Sequence, residues 1–188
     1  MSTNHFSFIN PPLVQSVIDA ALSHGGDFAE LFVQHSVMTG ASLEEERIRE
    51  AESGARLGAG IRVIKGERTG YAASDDLSKD TLLAAAEAAG RIADSVSPDR
   101  TAKIPAKSIK CQVISPIVQD CESVPLAQKT GLLQRVDQGA RAEDSRVIQV
   151  IAQYGDVKRD VMICNSDDMW MEDSVQIVRV LVSAIVEG

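Results

Sequence analysis

The sequence predicts an α+β domain: a mixed/antiparallel sheet with helices packed on it, made of two similar helix-plus-strands halves. Three observations carry this. Apolar residues recur at helical spacing in separate stretches, and each such stretch leads into segments that alternate with period two. Residues 54–74, GARLGAGIRVIKGERTGYAAS, read as a hairpin, with an apolar run Leu57–Ile64, a turn at Lys65-Gly66-Glu67 and a returning strand Arg68–Ala73. Gly66 accepts the positive φ that a tight reversal needs. The order helix, alternating strand, polar strand, apolar strand occurs once over residues 13–97 and again over 126–188, with a connection over 98–125. It is a repeat of pattern rather than of identity.

Residues 1–12 (MSTNHFSFINPP) lack a basic and then apolar leader and read as a flexible lead-in stopped by Pro11-Pro12. Leu13–Ser23 places Leu13, Val14, Val17, Ile18, Ala21 and Leu22 on one helical stripe, ended by His24-Gly25-Gly26. Phe28–Val37 alternates, with Ala29, Leu31 and Val33 opposite Glu30 and Gln34, as a half-buried strand does. The charged stretch Ser42–Ser53 fits a polar helix or an exposed strand, and its apolar neighbours favour the strand. In the hairpin, Gly58 and Gly60 suit a bulge or a close backbone approach. A second helix starts near Ser78, a good N-cap, with Leu82, Ala86, Ala89, Ile92, Ala93 and Val96 as its stripe.

The connection is punctuated by Pro98, Pro105, Pro116 and Pro125 and holds one candidate edge strand near Ile109–Ile114. A third helix follows, with Leu126, Leu133, Val136 and Ala140 as its stripe. Val147–Tyr154 and Lys158–Asn165 read as strands, and Asp167-Asp168 as a turn. The unbroken apolar faces of Val175–Val186 predict a central strand covered on both sides. Set against the hairpin, the C-terminal Ser183–Gly188 matches Ile61–Gly66 without a returning strand. The expectation is a fragment of a longer protein.

Composition narrows the function. With 188 residues, 44% hydrophobic and 4% aromatic, the chain is long enough for a core built from aliphatic side chains. A net charge of −8 disfavours a nucleic-acid surface. The longest apolar run is broken by Gln176, Arg179 and Ser183, too soon to span a bilayer. Cys111, Cys121 and Cys164, widely spaced, read as reduced thiols.

Chemistry-bearing motifs are missing. The sequence contains no HExxH or HExxxH, no CxxC, no phosphate-binding loop and no nucleophile elbow. His24, His35 and Asp27 straddle a helix end and a strand, a poor metal spacing. Asp167, Asp168, Glu172 and Asp173 lack the ligand spacing of a calcium loop. No catalytic or metal residue is assigned. The one cluster with recognition character is Arg62, Glu67, Arg68 and Tyr71 around the hairpin, a candidate partner or substrate surface, since Arg and Tyr are enriched at binding hot spots.

At this hairpin the chain resembles a known family. Leu57–Ala72, followed by Asp76-Leu77-Ser78 and an alanine-rich helix, is similar to the N-terminal region of the TldD/PmbA family, zinc metallopeptidases also called modulators of DNA gyrase. Gly26–Leu31 is similar to the family's first strand and Leu132–Asp137 to its later helix, so the resemblance covers the chain after residue 12. The run from Val63 to Gly70 fits the TldD branch better than the PmbA (TldE) branch.

The resemblance implies a cytoplasmic protein roughly two to three times longer. Its zinc is held by an HExxxH motif and a cysteine in a C-terminal catalytic half, which pairs with a TldE/PmbA-like subunit and cuts unfolded or extended peptides. None of those ligands maps onto this chain. The implied role is therefore that of a non-catalytic N-terminal domain contributing subunit pairing, hetero- or homo-oligomeric, and substrate enclosure. No cofactor is expected here and zinc is expected in the parent, with a peptide substrate and no nucleic acid or membrane partner. The alternative is a stand-alone protein-binding module, with gyrase as its target and no peptidase activity.

Overall fold

The computed structural model describes residues 6–95 and 116–188. Helix α1 spans Pro11–Leu22, with the Asn10 side chain accepting from the Leu13 N–H and proline in the first turn, where no backbone donor is needed. Strands β1 (Phe28–Glu44), β2 (Arg47–Lys65) and β3 (Arg68–Ser74) follow, then helix α2 (Lys79–Ser95). After a short 3-10 turn at Cys121–Ser123 come helix α3 (Leu126–Glu143) and strands β4 (Val147–Asn165) and β5 (Trp170–Val186). The five strands lie in the order β3-β2-β1-β4-β5. β2 and β3 pair antiparallel, and contacts of Ala29 with Ser166 and of Glu44 with Gln149 give β1 and β4 opposite directions as well. The α+β class with an antiparallel sheet stands.

The chain forms two compact units, and each draws on both sequence halves. The described residues of the first come from the ranges 6–35, 57–95 and 160–173. Its core joins Val17, Ile18 and Ala21 of α1 and Leu82, Ala86 and Ala89 of α2 to Leu31, Ile61, Val63 and Met162 of the sheet. Burying such side chains contributes about 1.5–3 kcal/mol each. The second unit, from 36–56, 116–159 and 174–188, packs Leu133 of α3 on Ala41, Leu43, Ala152 and Tyr154.

Several sequence expectations change. Residues 6–12 are not a loose lead-in, because Phe6 and Ile9 are buried in the first core. Ser42–Ser53 is strand, as favoured, but a turn interrupts it: Glu45 and Glu46 take φ of 51° and 62°, the left-handed pair that closes a two-residue hairpin. The two strands expected over 147–165 are one. In α2, Gly90 rather than Ile92 faces inward, and in α3 Lys129 and Asp137 are buried while Leu126 is not. The candidate strand 109–114, Val96 and Cys111 lie outside the described residues.

The largest correction concerns Val175–Val186. Among the described residues it is not a central strand covered on both sides but part of β5, at the sheet edge, with Val178, Leu181, Ile185 and Val186 exposed. An unbroken apolar run encodes affinity for cover, not the presence of the covering element.

Candidate functional site

The hairpin of β2 and β3 positions the predicted surface. Its turn is fixed by Asp27, the residue before β1: the Gly66 N–H donates to the Asp27 carboxylate at 2.6 Å, and the Asp27 N–H to the Ile64 carbonyl at 2.7 Å. Gly66 has φ of 58°, as its residue type predicts. Register pairs Arg62 directly with Tyr71. Because Ile61 and Val63 are buried under α1 and α2, alternation turns Arg62 and Tyr71 to the opposite face, which these two helices do not cover. There Arg62 forms an ion pair with Glu30 at 3.1 Å, and its guanidinium stands 6.0 Å from the centre of the Phe28 ring. Tyr71 is 58% exposed and its ring lies across Gly60, where any Cβ would collide with the phenol. At Gly60 the close neighbour is therefore an aromatic ring and not the backbone approach expected.

The other two predicted residues go elsewhere. Arg68 donates to the Asp94 carbonyl at 2.8 Å, capping the last turn of α2, and Lys65 bonds the Asp94 carboxylate at 2.6 Å. Lys65 draws the Asp94 carboxyl below its ordinary range, first by that hydrogen bond and then by its charge. Glu67 sits in the turn. The structure brings Arg62 and Tyr71 together, adds Phe28 and Glu30, and assigns Arg68 to a helix end. Alternation along β1 could have placed Phe28 and Glu30 on one face, but only the strand register sets them beside Arg62.

A second polar constellation, buried in the second unit, was missed. Lys129 pairs with Asp156 at 2.6 Å and donates to the Thr39 hydroxyl at 3.1 Å, and the Tyr154 hydroxyl donates to Asp156 at 2.5 Å. Burial, then the bond to Asp156 and its charge, push the Tyr154 phenol far above its ordinary value. Nearby, Lys158 pairs with Asp120 at 2.5 Å and Glu122 at 3.5 Å. Burial, together with the Asp156 and Asp120 charges, raises the Cys121 thiol. A buried thiol and a phenol hydrogen-bonded to Asp156, both pushed above their ordinary values, offer no activated nucleophile. This network holds structure.

No group of three or more His, Cys, Asp and Glu among the described residues is placed to hold a metal. His35 faces Asp160 at 3.9 Å instead, and His24 accepts from Lys65 through its carbonyl. The described residues therefore do not fit a zinc site. Cys121 and Cys164 are free and buried. No described helix is long and apolar enough to cross a membrane.

Comparison with known proteins gives the family. Residues 29–93 match the PmbA/TldA metallopeptidase domain 1, and residues 119–188 match the PmbA/TldA metallopeptidase central domain. A metalloprotease TldD homolog of Haemophilus influenzae is 31% identical over 92% of this chain and 36% of its own length. One from Buchnera aphidicola (Acyrthosiphon pisum) is 29% identical over 86% of the chain and 33% of its own length. The chain thus spans about a third of these relatives. Two solved structures share the fold at 20% identity: a proposed modulator of DNA gyrase from Bacteroides thetaiotaomicron (TM-score 0.78, 100% of this chain, 43% of that one), and TldE from Thermococcus kodakarensis (TM-score 0.77, 94% and 40%). The chain belongs to the PmbA/TldD metallopeptidase family, within its N-terminal region.

Proposed function

We propose that this region is the non-catalytic N-terminal domain of a cytoplasmic TldD-like zinc metallopeptidase, serving subunit pairing and enclosure of unfolded or extended peptide substrates. The observation that carries the reading is the Arg62–Tyr71 pair on the sheet face turned away from α1 and α2, with Phe28 and Glu30 beside it, in a chain of metallopeptidase lineage. Such a face supplies what peptide or subunit recognition uses: an exposed aromatic ring, an arginine held in place by a carboxylate, and a rigid sheet beneath. Zinc and the hydrolytic step belong to the longer protein, and its partner is a TldE/PmbA-like subunit or a second copy.

The test uses the longer protein with its partner and an extended peptide. Replacing Arg62 and Tyr71 with alanine is expected to weaken pairing or raise KM about tenfold or more, while zinc content and melting temperature stay unchanged. Unchanged pairing and unchanged KM together would refute the role. The 188-residue chain alone, given zinc and the same peptide, is expected to cleave nothing.

A further inference from the structure

β5 differs from its counterpart in the first half. The apolar end of β2 is closed on its outer edge by β3, in antiparallel register from Ala59↔Ser74 to Lys65↔Arg68. Its inward face is closed by helices, so that Ile61 and Val63 are 1% and 0% exposed. At the other end of the strand order, β5 has no further neighbour among the described residues. From Val178 to Val186 its aliphatic side chains are 39–54% exposed.

Faces can be assigned. The Gln176 side chain bonds the Cys121 N–H and the Gln119 carbonyl, so the turn at 119–123 lies over Gln176. Alternation puts Val178, Val180 and Val182 on that same face, beyond the turn, where no described residue buries them. Among the described residues nothing covers the outer edge or this face, and monomers rarely leave such apolar surface open.

We propose that residues 178–186 of β5 seat a strand-and-helix unit equivalent to β3–α2. An extended segment would pair antiparallel with the outer edge, and an amphipathic helix with a stripe of small residues would lie over Val178, Val180 and Val182. The occupant follows from the repeat. In the first unit one strand closes the β2 edge and one helix, through Ala86, Ala89, Gly90 and Ala93, helps close its face. A second copy joined edge to edge would satisfy the backbone of β5 but lay nothing over its valines. The source of the unit is polypeptide of the same protein: the relatives exceed the region matched here, which is 36% of the Haemophilus influenzae protein.

Amide hydrogen exchange on this chain and on the full-length Haemophilus influenzae relative tests the proposal. In this chain, outer-edge amides of 178–186 should exchange on the order of 100-fold faster than those of Ile61 and Val63. In the relative, the equivalent strand should be protected to the level of its core at concentrations where it is monomeric. A cysteine replacing Val180 should be labelled freely here and on the order of 100-fold more slowly at the equivalent position there. Three results overturn the proposal: an unprotected strand in the relative, protection there only on dimerisation or partner binding, or protection already present in this chain as a monomer.

Discussion

Lys129 and Asp156 keep their charges where water scarcely reaches, with side chains 3% and 2% exposed. Stripping water from two ions costs several kcal/mol each, and their attraction offsets this only while both remain. Lys129→Ala or Asp156→Ala should lower the unfolding free energy by about 3–5 kcal/mol, whereas Lys129→Met with Asp156→Leu should recover most of it. Urea denaturation of the three variants decides; a double variant as unstable as the singles would contradict the account. Lys158 and Asp120 add a pH dependence. Burial pushes the Asp120 carboxyl up, but the Lys158 hydrogen bond and the Glu122 N–H outweigh it and the net shift is downward. A carboxyl depressed by folding contributes stability that is complete above its unfolded value, about 3.9, and is lost as pH falls through the folded one. The melting temperature should therefore hold from pH 7 to 5 and fall below about 4, less steeply in Lys158→Met. Burial, then the Glu172 charge, push the Cys164 thiol up to about 12, so native protein at pH 8 should resist thiol labelling there until it unfolds. Part of this network was legible: Lys129 and Asp137 sit four residues either side of Leu133, on its helical stripe. The partners of Lys129 on β1 and β4, Thr39 and Asp156, were not, because sequence carries no register between distant strands.

At the scale of elements, two glycines set how closely backbones approach. A Cβ on Gly70 would strike the Ala89 carbonyl and come within 2.7 Å of the Ala93 nitrogen, so β3 and α2 touch main chain to main chain. A Cβ on Gly90 would come within 2.6 Å of the Ala21 carbonyl, which brings α1 and α2 together. Gly70→Val and Gly90→Val should each cost about 1–3 kcal/mol or more, as overpacking against rigid backbone does. Gly139, inside α3 with open space around it, is the control: Gly139→Ala should gain about 0.4–1 kcal/mol. Thermal melts of all three variants check the contrast, and equal effects would refute the close-approach reading. The element types were readable here because alanines at helical spacing and a glycine in a turn act locally. The role of Gly70 was not readable, since it depends on a helix that begins only at Lys79.

For the molecule as a whole, the repeat and the antiparallel sheet were visible in the order of patterns, while the fate of β5 was not, because an edge and a centre can carry the same valines. The compact units also cross the sequence halves, and this bears on how the protein is made. The first core contains Met162 and Cys164, 0% and 1% exposed, alongside α1 and α2. A polypeptide of residues 1–97 should therefore lack a cooperative melt, which circular dichroism on heating would show, and a sharp two-state transition would contradict it. On the ribosome those two side chains follow the end of α2 by about 70 residues, or several seconds at about 5–20 residues per second. Through that interval α1, α2 and the first hairpin leave the tunnel with one wall of their core still unsynthesised. The nascent chain then has a window in which it is open to chaperones and proteases, and the synthesis of β4 closes it.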